Sequence, residues 1–237
     1  MSSSSTTAPM RLDRLLSSLG YCSRSKVKQL VDDGVVTVEG HSLLRFDSRV
    51  SHHTVRFEGQ PLDQMPGLLI VMHKPCGYVC SHRDQGSLVF ELLPARFSQR
   101  NPPLSTIGRL DKDSSGVLLF TDDGQLLHKL TSPKFHLPRV YEVELFSQLK
   151  GNEAQIFASG TLLLDDETDP LKPAVLEVLD PTHAKITIHE GRYRQVRRMF
   201  AAVGNQVTKL ERVLFGKLSV TGLKPGAWRL AKEEEII

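Results

Sequence analysis

The sequence predicts an α+β fold in two parts, a small basic helical module followed by a larger mixed-sheet domain. Three observations carry this. Leu12, Leu15, Leu16 and Leu19 fall at i, i+3, i+4 and i+7, the apolar stripe of an amphipathic helix. Beyond Pro66-Gly67 the texture changes to strand-length apolar runs mixed with helical stretches. Those strands and helices do not alternate strictly, which disfavours a doubly wound sheet. The 237 residues are enough for one or two domains.

In the first part, Gly20 suits the C-terminal stop of the opening helix. Ser23 suits the N-cap of a second helix, with Val27, Leu30 and Val31 inward and Gly34 at its end. Val35–Glu39 reads as a strand, Glu39-Gly40 as a turn and Thr54–Phe57 as a second strand. Residues 10–65 thus form one module. Its charge is polarised. Residues 11–30 hold Arg11, Arg14, Arg24, Lys26 and Lys28 against Asp13 alone, whereas 31–63 are net acidic. A basic helix pair of this kind suits a phosphate backbone, and a solvated helix face is the alternative.

In the second part, residues 68–237, Leu68–Met72 and Val117–Thr121 read as buried strands. Leu88–Leu93 reads as a short helix closed by Pro94. Asp123-Gly124 opens a helix with Leu126, Leu127 and Leu130 inside. In Val140–Leu145, Tyr141, Val143 and Leu145 alternate with Glu142 and Glu144, the pattern of a half-buried strand. Lys185–His189 is a further strand. Gln195–Val203 is a helix with Val196, Met199, Phe200 and Val203 inward and Gly204 as its cap.

Composition removes several function classes. Hydrophobic residues at 40% and charged residues at 24% are near globular averages, which argues against a disordered chain. No apolar run approaches the ~18 residues of a membrane span. Three cysteines, Cys22, Cys76 and Cys80, are too few for a disulfide framework and fit a reducing compartment, so a cytoplasmic location is expected. Met1–Pro9, MSSSSTTAP, lacks the basic and apolar parts of a secretory signal and reads as a disordered tail. His73, Cys76, Cys80 and His82 crowd one stretch, but C-x₃-C without a distant pair does not make a zinc site, and no metal is expected. There is no G-x-G-x-x-G and no phosphate-binding P-loop, so no organic cofactor is expected, and Ser114-Ser115-Gly116 is not G-x-S-x-G, which gives a serine hydrolase little support.

Two dense constellations remain. Ile107–Gly124 reads IGRLDKDSSGVLLFTDDG, with Asp111 and Asp113 in a loop before a strand, Gly108 and Gly116 on either side, and Arg109 and Lys112 beside them. A carboxylate among bases stays ionised and can act as nucleophile or general base. An ordinary polar loop is the alternative. Glu190–Val203 reads EGRYRQVRRMFAAV. Arg194, Arg197 and Arg198 at i, i+3 and i+4 would share a helix face, and Arg192 makes four arginines in seven residues. Arginine in this density fits phosphate or carboxylate recognition.

These pieces, in this order, resemble the small-subunit ribosomal RNA pseudouridine synthase family of the RsuA type. RLDRLLSSLGYCSRSKVKQLVDDGVVTVEG is similar to an S4-type RNA-binding module. HKPCGYVCS, GRLDKDSSGVLLFTDDGQLLHKLTSP, KPAVLEVL and EGRYRQVRRMFAAVGN are similar to the catalytic-domain motifs. The resemblance runs from Met10 over nearly the whole chain and implies a catalytic domain with a mixed, largely antiparallel sheet. It implies isomerisation of one uridine of 16S rRNA, uridine 516, with no cofactor. Asp111 matches the catalytic aspartate, Tyr141 the tyrosine against the target base, and Arg197 the basic partner of the aspartate. Arg109 is expected to extrude or replace the base, with a phosphate contact as the alternative. Arg11, Arg14, Arg24, Lys26, Lys28, Lys74, Arg192, Arg194 and Arg198 complete the expected RNA contacts. The partner implied is 16S rRNA or a small-subunit assembly intermediate, with the protein a monomer away from membranes. His73 stands where the family commonly has Asn, Arg139 where it has Lys, and Asp32-Asp33 where a more basic stretch is usual. A large-subunit 23S rRNA synthase shares the G-R-L-D and Q-V-R-R-M motifs and is the alternative within the enzyme class; the acidic end Lys232–Glu235 favours the small-subunit branch. A non-catalytic S4-type assembly factor is the alternative outside it.

Overall fold

The computed structural model describes residues 8–40, 44–132, 135 and 137–236. Most of the expected N-terminal tail lies outside the described residues. The chain forms two compact units.

The first unit comprises Met1–Leu68, Leu93–Ser105 and Thr121–Asp123. A two-residue strand β1 (Met10–Arg11) leads into helix α1 (Leu12–Ser18), and a 3₁₀ turn over Arg24–Lys26 leads into α2 (Val27–Asp32). Ser23 does not cap the helix. Its hydroxyl meets Ser25 Oγ at 3.1 Å instead. Strands β2 (Val36–Val38), β3 (Arg49–Val50), β4 (Val55–Phe57) and β5 (Gln60–Pro61) follow. β1 pairs with β3, and β2-β4-β5 form a small antiparallel sheet. The predicted leucine stripe is the core: Leu12, Leu15, Leu16 and Leu19 are all at most 1% exposed. Burying each contributes about 1.5–3 kcal/mol.

The segment 93–105 was expected in the second part, yet it clusters with this unit. Gly20, at φ +82°, shows how closely it approaches: a Cβ there would lie 2.0 Å from the Arg96 carbonyl oxygen. Arg96 Nη2 donates to Asp63 at 2.9 Å. Arg100 and Asp122 form a fully buried ion pair at 2.7 Å, and the Asp122 carboxylate also accepts the N–H groups of Gly67 and Leu68, both at 2.8 Å.

The second unit is built on a nine-stranded sheet. Its strands are β6 (Leu69–Lys74), β7 (Ser105–Ile107), β8 (Ser115–Thr121), β9 (Arg139–Leu145), β10 (Val175–Asp180), β11 (His183–Ile188), β12 (Val207–Phe215), β13 (Leu218–Ser219) and β14 (Trp228–Leu230). The order is β10-β11-β9-β12-β8-β6-β14, with β13 on β12 and β7 on β8. The pairing is largely antiparallel, with β12 and β8 parallel. Val117–Phe120 are each 0% exposed, as expected of a strand buried on both faces. Helices α3 (Gly124–Thr131), α4 (Glu153–Ala158) and α5 (Gln195–Ala202) pack with the sheet. Leu126 and Leu130 of α3 are buried and Leu127 is half-buried. The predicted alternation in β9 is present, with Tyr141, Val143 and Leu145 buried.

Candidate active site

Asp111 sits in the loop between β7 and β8, and the loop is held by its backbone. Four consecutive carbonyls are occupied. Lys74 Nζ donates to Asp111 O at 3.0 Å and to Ser114 O at 2.7 Å. Gly77 N–H donates to Lys112 O at 2.7 Å, and Arg197 Nη2 to Asp113 O at 2.9 Å. Among the described residues, no hydrogen bond or ion pair engages the Asp111 carboxylate itself. The loop therefore fixes the position of a carboxylate while leaving its oxygens uncommitted.

That carboxylate borders a cavity of about 380 Å³, with Tyr141 on one wall and Arg139 and Arg212 beside it. Tyr141 comes from β9 and is 8% exposed; it stands in register with Arg212 of β12. Arg109, exposed, borders this cavity and a neighbouring one lined by Cys76, Lys112 and Asp113. Acid is scarce here and guanidinium abundant. Burial, with the charge of Arg212 adding to it, pulls the pKa of Arg139 below its ordinary value. Burial likewise lowers Arg194, but the carboxylates of Asp113 and Asp111 outweigh it, and its pKa is raised.

Several expected roles need correction. Lys74 is 0% exposed and its ammonium also reaches Pro75 O at 3.1 Å, so it is a post under the Asp111 loop and not an RNA contact. Burial pushes its pKa down. Arg197 does not pair with Asp111. Its Nη2 meets the Asp113 carboxylate at 3.2 Å, and its Nη1 donates to Val207 O at 2.9 Å. Arg194 lies outside helix α5 as its left-handed N-cap, φ 47°, so the three arginines do not share one helix face; it joins Arg197 on Asp113 at 3.0 Å. Arg192 binds Glu167 at 3.2 Å and the carbonyls of Asp169 and Pro170, both at 2.7 Å. Arg198 binds Glu167 at 2.9 Å and the Asp165 carbonyl. These two clamp the 165–170 segment, which answers their charge within the protein.

In the first unit the expected basic residues are exposed. Arg14 and Arg24 border a cavity of about 520 Å³ with Ser17 and Asn101. Arg11 pairs with Asp13 at 3.1 Å, and Lys26 and Lys28 face solvent. In the His73–His82 stretch, His73 Nε2 lies 3.3 Å from a Glu211 carboxylate oxygen and His82 stacks on Phe90.

Three site residues carried no individual role in the sequence. Arg212 and Ser114 are buried in the cavity wall. Tyr193, 72% exposed, stands where the two cavities adjoin. The arginine density around Tyr193 and the charged Ile107–Gly124 loop around Ser114 are the local signals for those two; nothing local marks Arg212.

A mixed sheet with an uncommitted carboxylate among arginines, in a chain that also carries a small basic helical module, suits an enzyme acting on a phosphate-bearing polymer. Residues 68–202 match the RNA pseudouridylate synthase family and residues 10–50 match the S4 domain, and the chain belongs to the RNA pseudouridylate synthase family. It is 40% identical over 233 residues to ribosomal small subunit pseudouridine synthase A of Escherichia coli strain K12, covering 96% of this chain and 98% of that one. The same-named protein of Pasteurella multocida is 38% identical over 231 residues, covering 96% and 98%. The RNA pseudouridine synthase YtzG of Bacillus subtilis is 39% identical over 235 residues, covering 96% and 97%. Among solved structures, a crystal structure of a pseudouridylate synthase superposes with a TM-score of 0.68 at 34% identity, covering 96% and 98%.

Proposed function

We propose that the protein converts one uridine of 16S rRNA, uridine 516, to pseudouridine, with Asp111 as the catalytic carboxylate. The observation that carries this reading is the Asp111 carboxylate itself, backbone-anchored, uncommitted and set in a guanidinium-rich cavity. The 40% identity to small-subunit synthases over 96% of the chain supports 16S rRNA as the substrate class. The reaction is an isomerisation. The N1–C1′ bond breaks, the base turns, C5 bonds to C1′, the C5 proton is lost and N1 takes one up. Asp111 serves either by attacking C1′ or by removing the 2′ proton. Tyr141 supplies an aromatic wall for a base drawn out of the RNA. Arg197 supports the loop from its far side by holding Asp113.

Arg11, Arg14, Arg24, Lys26, Lys28 and Arg109 present charge to the RNA backbone, so affinity falls steeply with salt. The reading includes a cytoplasmic, monomeric protein acting on naked 16S rRNA or on an assembling small subunit. The test is tritium release from 16S rRNA labelled at C5 of uridine, with wild type beside Asp111→Asn. Release by wild type alone, with RNA affinity matched, supports the assignment. No release from 16S rRNA or from assembly intermediates, with release from 23S rRNA, moves the substrate to the large subunit. No release from any rRNA leaves an RNA-binding protein without this activity.

A further inference from the structure

Arg212 is a buried cation that the reaction as described above does not use. It is 2% exposed and lies in the centre of the sheet. Nε donates to Val117 O at 2.8 Å, and the guanidinium lies over the Phe215 ring at 5.3 Å. Nη2 is buried and, among the described residues, has no hydrogen-bond partner. A tie between β12 and β8 needs only the Nε–H. Burying a guanidinium nitrogen without a partner is unfavourable. An unpartnered buried donor of this kind calls for a reason.

The surroundings supply one. Arg212 lines the Asp111 cavity opposite no acid of its own, and stands across the β9–β12 ladder from Tyr141. Its backbone is rigidly placed. Arg212 pairs with Gly116 of the parallel strand β8, whose φ of +106° and close approach leave no room for a side chain. Ser114 Oγ, also buried and without a partner among the described residues, lines the same cavity. Two residues that each keep an unsatisfied buried donor thus line the space beside Asp111.

We propose that the Arg212 guanidinium donates to a carbonyl oxygen of the target uracil and stabilises the negative charge that the base carries while it is detached, with the Ser114 hydroxyl as a second donor. This rests on the pseudouridine synthase reading above. When the N1–C1′ bond breaks, its electron pair leaves with the base, and the charge spreads over N1, O2 and O4. Turning the ring about its C6–N3 axis exchanges N1 with C5 and also O2 with O4. A fixed donor that holds one carbonyl oxygen before the turn therefore meets the other after it. The C5–C1′ bond then forms, the C5 proton leaves and N1 is reprotonated, with no net redox change. A donor aimed at charge that develops only during reaction acts on the rate and not on ground-state binding.

The test is single-turnover tritium release at saturating RNA, with RNA affinity and melting temperature measured on the same preparations. Arg212→Met is expected to slow the reaction about 10²–10³-fold, the range for losing one such donor, with affinity within about threefold of wild type. Arg212→Lys is expected to recover part of the loss. Substrates carrying 2-thio- or 4-thiouridine at the target give an arm that needs no variant. Sulfur accepts hydrogen bonds poorly but spreads negative charge at least as well as oxygen, so wild type should be slowed tenfold or more by either, and a folded Arg212→Met should respond to neither. Arg212→Met reacting within threefold of wild type overturns the proposal, as do thio substrates reacting at full speed. Lower affinity with unchanged rate also overturns it and makes Arg212 a phosphate contact. A wild type that releases no tritium from any rRNA instead removes the synthase reading.

Discussion

Replacing Lys74 by Met separates two roles for one residue. The side chain is wholly buried, and its ammonium donates to the carbonyls of Pro75, Asp111 and Ser114 at 3.1, 3.0 and 2.7 Å. Methionine keeps most of the apolar stem and removes the donor. Asp111 O retains the Ser114 N–H at 3.1 Å. The other two carbonyls lose this donor, at about 1–3 kcal/mol each when a buried group is left short. Relief from burying an ammonium offsets part of that. The net expectation is a loss of about 3 kcal/mol, or roughly 6–12 °C in melting temperature for a chain of this size. Because two of the three acceptors flank the Asp111 carboxylate, turnover should fall by more than RNA affinity does. Urea or thermal unfolding gives the first number and single-turnover tritium release the second. Lys74→Met that melts within about 1 °C of wild type, but binds RNA more weakly with a shallower salt dependence, would overturn the structural role and restore Lys74 as a phosphate contact.

Gly116→Ala places a Cβ 2.1 Å from the Arg212 carbonyl oxygen at a φ of +106°, so strain and overpacking together should cost about 3 kcal/mol or more, read as a lowered urea midpoint. Glu153, 2% exposed, has its pKa below the ordinary 4.5: burial alone would raise it, but the N–H groups of Lys150, Glu153 itself and Gly151 outweigh burial. Its contribution is therefore present above about pH 4.5 and lost as the pH falls through the depressed native value. Glu153→Gln should be about 1–2 kcal/mol less stable than wild type at pH 7, with the gap closing in acid, measured by unfolding across pH. Asp113, 49% exposed, holds Arg194 and Arg197, and such surface pairs contribute little to stability. Asp113→Asn should change unfolding by less than about 1 kcal/mol yet tighten RNA binding a few-fold at low salt, as filter binding would show.

How legible the molecule was depended on whether a signal was local. The Leu12–Leu19 stripe, the Tyr141–Leu145 alternation and the apolar side of Gln195–Ala202 all repeat at the period of their own element, and each element lies where that period places it. The β12 strand carried no such period. Its register shifts between Val207 and Lys209 and between Arg212 and Leu214, which breaks the two-residue alternation that marks a strand. The Asp111 loop stood out by its density of charge and glycine. The partners of that charge did not. Glu167 meets Arg192 from 25 positions away, and Lys74 meets Ser114 across 40, so basic residues that serve the fold looked the same in sequence as those facing solvent. Segment 93–105 joined the first unit through Gly20, Asp63 and Asp122, none of them near it in sequence.

The reaction and its carboxylate are tested together by mapping pseudouridine in the 16S rRNA of cells lacking this gene, then of the same cells supplied with wild type or with Asp111→Asn. With Asp111 as the catalytic carboxylate, one pseudouridine, at uridine 516, disappears on deletion, returns with wild type and stays absent with Asp111→Asn. A 16S rRNA whose pseudouridines are unchanged by the deletion, or are restored by Asp111→Asn, would contradict that assignment.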